Sequence, residues 1–140
     1  MHLSLSFMRL HLLTSSRPHR LRMEMQQESD GLWYWAEYFT FQIGDEATGK
    51  YRLNVDGYSG DAGDSLQATG SGDFTHDGMK FSTYNNDNDL GTTNCASDKH
   101  GGWWLNRCYK ICLMCTGKHK SYTLPARYLV DSRMMIKVNP

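Results

Sequence analysis

No apolar run in this 140-residue chain approaches the roughly 20 residues that a membrane-crossing helix needs, which excludes a helical span. A net charge of either sign is missing too, since 15 Lys and Arg balance 15 Asp and Glu. Without a global field the chain lacks the footprint that draws proteins onto nucleic acid or anionic membranes, so any partner is recognised locally. Internal repeats and linker-like low-complexity stretches are absent. So are a nucleophile elbow, a phosphate-binding glycine loop and a carboxylate pair that requires catalysis, which argues against an enzyme. Residues 1–13 are partly apolar, but His2, Arg9 and His11 interrupt the uninterrupted core that a secretory signal needs.

What is present suits one domain with a modest core, 39% of the chain being hydrophobic. Residues 21–26, LRMEMQ, alternate as a half-buried strand does, with Arg22 and Glu24 toward water. Residues 33–43, WYWAEYFTFQI, read as a second strand behind a turn at Asp30 and Gly31, and the two should pair antiparallel. Trp33, Tyr34 and Trp35 are expected in the core. A hairpin loop over 44–49 leads to a third strand over 50–55. Residues 56–78 are too polar and glycine-rich for a long element, apart from a helical turn near Ser65 to Ala68.

The most informative run is 81–108, FSTYNNDNDLGTTNCASDKHGGWWLNRC. Asp87 and Asp89 flank one residue, and the carbonyls of Gly91 and Thr93 follow at a spacing that could complete a hard oxygen shell for calcium. A solvated Asn/Asp turn explains the same spacing. An EF-hand does not: counted from Asn85, the sixth position is Leu90 and the twelfth Ala96. Cys95, Cys108, Cys112 and Cys115 fit either disulfides or a metal, the metal alternative being zinc on Cys108, Cys112, Cys115 and His119. A redox pair at Cys112 and Cys115 has no strand-helix pattern around it. Trp103 and Trp104 are read as core and scaffold. His11, His19, His76, His100 and His119 show no paired metal spacing and are read as surface residues.

Taken in order, WYWAEYFTFQIGDE, YRLNVDGYSGDAGDSL, GMKFSTYNNDNDLGTTNCA and GGWWLNRCYK resemble the fibrinogen C-terminal domain family. The resemblance implies an α+β fold: a twisted antiparallel sheet, short helices and a loop-rich calcium-binding region, here incomplete. It divides the chain into an atypical N-terminus (1–10), a partial family domain (11–113) and a divergent tail (114–140). The family's front third, with its first disulfide and a GGWT-like motif, has no counterpart, which leads us to expect a truncated front. Within the tail only MMIKVNP is faintly similar to the family's basic closing strand.

Carried over residue by residue, the resemblance implies calcium held by the Asp87 and Asp89 side chains and the Gly91 and Thr93 carbonyls. Asn85 stands where many members have Asp and would act through water. It also implies a Cys95–Cys108 disulfide and, as in lectin-like members, a cis Arg107–Cys108 peptide. Backbone donors there would form an acetyl-group pocket together with Arg107, Cys108 and Tyr109. The implied function is an extracellular, calcium-dependent recognition module, lectin-like toward acetylated glycans in innate immunity. The alternative is a matrix or signalling ligand that binds extracellular proteins. A full-length form would be secreted and could form homo-oligomers.

Overall fold

The computed structural model describes residues 2–67, 70, 75–116 and 120–140, with the backbone alone for residues 2–5. A helix, α1 (His2–Ser16), precedes two strands, β1 (His19–Gln27) and β2 (Trp33–Ile43). A one-turn helix α2 (Glu46–Gly49) then leads into β3 (Leu53–Gly60). A long loop region holding the short helix α3 (Cys95–Asp98) follows, and β4 (Leu129–Val138) closes the chain. The strands form one antiparallel sheet in the order β3-β2-β1-β4.

Period-2 patterning produces β1: Leu21, Met23 and Met25 are buried, while Arg20, Arg22, Glu24 and Gln26 point to the other face. Its turn into β2 works as expected, with Gly31 at φ 69 and the Asp30 carboxylate accepting from Leu32 N at 2.9 Å and from the Tyr34 hydroxyl at 2.7 Å. Arg22 and Glu24 do not simply face water. Arg22 stacks 4.4 Å over the Trp35 ring and pairs with Glu24 at 2.7 Å, so both are half-buried. The expected core role of the aromatic triplet is corrected for Trp33 and Trp35, while Tyr34 packs against the core from its margin. Trp33 is exposed and Tyr34 and Trp35 are half-buried, while Ala36, Tyr38, Phe41 and Ile43 fill the interior. A shift in register between His19 and Leu21 lets β2 present both Tyr38 and Phe41 inward.

The third strand runs later than residues 50–55. Asp45 caps α2 by accepting from Thr48 N at 2.7 Å, and Lys50 and Tyr51 take left-handed backbone at φ 48 and 54. The expected 44–49 loop is therefore a helical turn, and pairing starts at Leu53. It extends to Gly60, inside the stretch read as loop, because Gly60 lies against β2: a Cβ there would sit 2.2 Å from Trp35 O. No helix forms at Ser65 to Gln67, and Ala68 lies outside the described residues. Asp64 shapes that turn instead, its Oδ1 accepting from the Tyr38 hydroxyl at 2.7 Å and from Gln67 N at 3.1 Å.

Packing joins the sheet's inner face to the loop region. Leu66, Trp103, Trp104, Leu105 and Ile111 are all buried against β1, β2 and β3 residues. Phe7 of α1 stacks on Phe81, with ring centres 4.4 Å apart, and also meets Tyr51 and Trp104. The tail residues 129–138 enter the sheet as β4, paired with β1 from His19 opposite Val138 to Gln27 opposite Leu129.

Candidate functional site

The loop that carries the acidic pair is built on the two buried tryptophans. Ser82 and Trp103 exchange backbone hydrogen bonds of 2.9 and 3.2 Å. Asn88 then turns inward, its side chain donating to Phe81 O at 2.9 Å and its backbone N–H to Ser82 Oγ at 3.0 Å. Anchoring Asn88 leaves its neighbours Asp87 and Asp89 to shape the outer loop. The Asp89 carboxylate accepts from Gly91 N at 2.7 Å and Cys95 N at 2.9 Å, and Asp87 Oδ1 accepts from Asp89 N at 3.1 Å. Leu90 N donates to Asn106 O at 3.0 Å, tying the loop to the segment before Cys108.

Partial burial raises the Asp89 carboxyl above the ordinary carboxylate range, and the nearby Asp87 adds to the shift, whereas the Cys95 and Gly91 N–H groups oppose it. Two acidic groups held together in this way are relieved by a cation. A Cβ on Gly91 would come 3.0 Å from Asp89 Oδ1 and 3.2 Å from both Cys95 Sγ and Thr93 O, so a side chain there would crowd the loop. The donors are hard oxygens, as calcium requires. Among the described residues, no group of three or more His, Cys, Asp or Glu side chains gathers at metal-holding distance, so backbone carbonyls would supply the remainder. Asn85 is turned to Thr83, accepting from its hydroxyl at 2.9 Å.

Cys95 and Cys108 form a disulfide, and so do Cys112 and Cys115. These pairings correct the zinc alternative, because a disulfide sulfur is no thiolate ligand. His119 lies outside the described residues. The Arg107–Cys108 peptide is trans, which corrects the cis expectation: the chain turns there through left-handed backbone at Cys108, φ 54. Asn106 N–H is used within the turn, donating to Cys108 O at 3.0 Å. Arg107 and Cys108 line one open depression of about 440 Å³ with Leu90, Gly91, Thr92, Thr93 and Cys95. Tyr109 does not line it; its ring packs against Tyr122 at 6.1 Å. A larger depression of about 710 Å³, lined by Tyr84, Asn85, His100 and Met114 among others, contains Asn85 but none of the expected direct calcium ligands or acetyl-pocket residues.

One residue read as surface proves central. His76 is fully buried; its Nδ1–H donates to Trp104 O at 2.7 Å and its Nε2 accepts from Lys110 N at 3.0 Å and Ile111 N at 3.4 Å. Burial pushes its pKa down to about 4, with the Lys110 charge adding to the effect and the Trp104 carbonyl opposing it. Asn106 helps, donating to Thr75 O at 2.8 Å. Together they hold the segment that bears Arg107 and Cys108. No local sequence signal marks this role, because every partner is a backbone group about 30 residues away.

Comparison with known proteins agrees with this anatomy. The family model described as "Fibrinogen beta and gamma chains, C-terminal globular domain" matches residues 3–126. Tenascin of Gallus gallus is 39% identical over 105 residues, which is 75% of this chain and 5% of that protein. Human fibrinogen-like protein 1 is 39% identical over 108 residues, 71% of this chain and 33% of that protein. Among solved structures, the fibrinogen-like globe domain of human ANGPTL2 matches with a TM-score of 0.81 at 30% identity, covering 96% of this chain and 64% of its own. Lamprey fibrin D-dimer complexed with the peptide Gly-His-Arg-Pro-amide matches at 0.76 and 27%, over 93% of this chain and 48% of its own. This chain thus spans a third or less of those two curated relatives. In motif order, sheet topology and overall similarity, the chain belongs to the family of fibrinogen C-terminal globular domains.

Proposed function

We propose that this domain is a non-catalytic, extracellular recognition module that binds a protein segment beside a calcium-stabilised loop. The observation that carries the reading is the shared wall: Gly91 and Thr93 of the acidic loop line the same depression as Arg107 and Cys108. A cation on Asp87, Asp89 and the Gly91 and Thr93 carbonyls would neutralise the acidic pair and rigidify that wall. Two disulfides suit an oxidising compartment. The peptide complex of the lamprey fibrin relative supports a peptide-type ligand.

Acetylated glycan is the second reading, favoured because Arg107 and Cys108, the expected acetyl-pocket residues, face the depression. The trans Arg107–Cys108 bond and the separate placement of Tyr109 weigh on the side of peptide. Calorimetry of the full chain with calcium, followed by Gly-His-Arg-Pro-amide or an N-acetylated sugar, separates the two. Calcium heat that survives Asp87→Ala removes the proposed ion site. Sugar binding without peptide binding, abolished by chelator, would replace the peptide reading with the lectin one.

A further inference from the structure

The two disulfides lie in opposite electrostatic settings. Cys95 is held in the acidic loop: its N–H donates to the Asp89 carboxylate at 2.9 Å, Asp87 accepts from Asp89 N, and Asp98 lies on the same short helix. Lys99 and Arg107 are the cations nearest in sequence to that bridge, so the carboxylates outnumber them. Cys112 and Cys115 belong to a stretch of reversed character, since residues 99–130 contain six Lys and Arg and no Asp or Glu. The antiparallel bridge between Ile111 and Ser121, with Tyr122 N–H donating to Lys110 O at 3.0 Å, sets Lys120 opposite Cys112. A nearby cation stabilises a thiolate and a carboxylate opposes one, so charge favours release of thiolate from Cys112–Cys115.

This second disulfide also closes a clamp. Thr116, next to Cys115, donates to His100 O from its N–H at 3.1 Å and from its hydroxyl at 3.0 Å. Gly101 follows, and a Cβ there would come 2.5 Å from Cys115 Cα and closer still to Met114 O, so the loop backbone lies directly on it. Two residues on, Trp103 and Trp104 pack edge to face in the core, their centres 5.1 Å apart. The Cys112–Cys115 ring thus fixes the approach to the tryptophan pair. Because it spans so short a loop, it restrains the unfolded chain less than Cys95–Cys108 does, and opening it leaves the fold standing.

We infer that Cys112–Cys115 is a thiol–disulfide exchange site, opened by a dithiol reductant to loosen the clamp on His100 and Gly101 while Cys95–Cys108 stays closed. The first thiolate of the reductant attacks Cys115 Sγ, the less buried of the pair. As that mixed disulfide forms, the Cys112–Cys115 bond breaks and its electron pair leaves on Cys112, the thiolate opposite Lys120. The reductant's second thiolate then attacks its own sulfur in the mixed disulfide, releasing Cys115 and leaving the reductant as a disulfide. Two electrons pass to the protein, and the two protons lost by the dithiol return through solvent to the cysteines. Access by itself would favour attack on half-buried Cys108, so the order of opening discriminates charge from exposure.

The inference stands apart from the ligand reading and is tested without ligand, in chelator. The full chain is equilibrated at graded ratios of reduced to oxidised dithiothreitol, alkylated with iodoacetamide and mapped by peptide mass spectrometry. Cys112 and Cys115 should be labelled at about a tenfold lower ratio than Cys95 and Cys108. Tryptophan emission should change with that first step, while far-UV circular dichroism stays native. Lys120→Gln should raise the ratio needed for the first step by about threefold, whereas a mere loss of packing would ease opening and lower it. The double variant Cys112→Ser/Cys115→Ser should lack the first step, keep the wild-type circular dichroism and show the reduced-state emission from the start. Opening of both bridges together, or of Cys95–Cys108 first, overturns the inference. So does a first step that is silent in tryptophan emission or indifferent to Lys120→Gln.

Discussion

The polar knot at His76 and the acidic loop at Asp87 and Asp89 lie at opposite extremes of the same design problem. Both place titratable groups at the boundary of the tryptophan core, and both grip the segment from Trp103 to Cys108. His76 is closed: each ring nitrogen has a protein partner, and burial holds it neutral. The acidic loop is open: the backbone N–H groups bonded to Asp89 do not cancel the charge of its neighbour Asp87, and its carboxyl is pushed up. The first arrangement is completed by the chain itself; the second is the one to which the proposed calcium is assigned. The contrast separates a group whose partners all lie within the chain from one whose charge is not balanced by its neighbours.

Breaking the closed knot should cost most. His76→Leu leaves the Trp104 carbonyl and the Lys110 N–H without their partner, and urea unfolding should show a loss of about 4 kcal/mol. Acid probes the same group. Burial holds the folded-state value at about 4 against an ordinary value of 6.5, so the unfolded chain takes up the proton first. Stability should therefore be full above about pH 6.5 and decline by about 3 kcal/mol as pH falls to 4. In His76→Leu that slope should be missing from the same window. Removing the Cys95–Cys108 bridge by the double serine variant should cost about 3 kcal/mol, less if the unfolded state stays compact.

Effects at the open loop should be smaller and conditional. Calcium at a hundredfold excess over its Kd should stabilise the domain by about 2.7 kcal/mol, read as a rise in Tm that chelator reverses. Asp87→Asn should split the two conditions. In chelator it relieves the like-charge contact with Asp89 and raises Tm by about 2 °C or less, whereas in calcium it removes most of the metal-dependent gain. On the sheet's outer face, Arg22→Ala should cost under about 1 kcal/mol, because its stacking on Trp35 is half-exposed. A loss as large as that of His76→Leu there would undo the distinction between closed and open groups.

The legible parts of this chain were those with local periodicity or a dense motif. Strands β1 and β2 and their turn follow from alternation and from Asp30 and Gly31, and the motif order from residue 33 to 110 is enough for the family. The acidic pair is a local feature as well, whereas the Cys95–Cys108 disulfide follows only from the family resemblance. What escaped were elements whose meaning depends on distant partners. β3 starts later than its pattern suggests because Lys50 and Tyr51 adopt left-handed backbone, for which only the Asp45 and Thr48 cap is a clue. Trp33 and Trp35 lie outside the core because aromatic content does not say which face a strand buries.

By itself, the sequence determined the family, the first two strands, the acidic loop and the absence of a membrane-spanning helix, since each rests on patterns within a short window. Tertiary structure alone decided that His76 is a buried hub, that Tyr109 leaves the Arg107 and Cys108 depression, and that residues 129–138 pair with β1. Hydrogen bonds to the backbone can be made by any residue that arrives in the right place, so sequence carries no mark of them. Which strand comes to lie beside β1 likewise depends on where segments far along the chain come to rest.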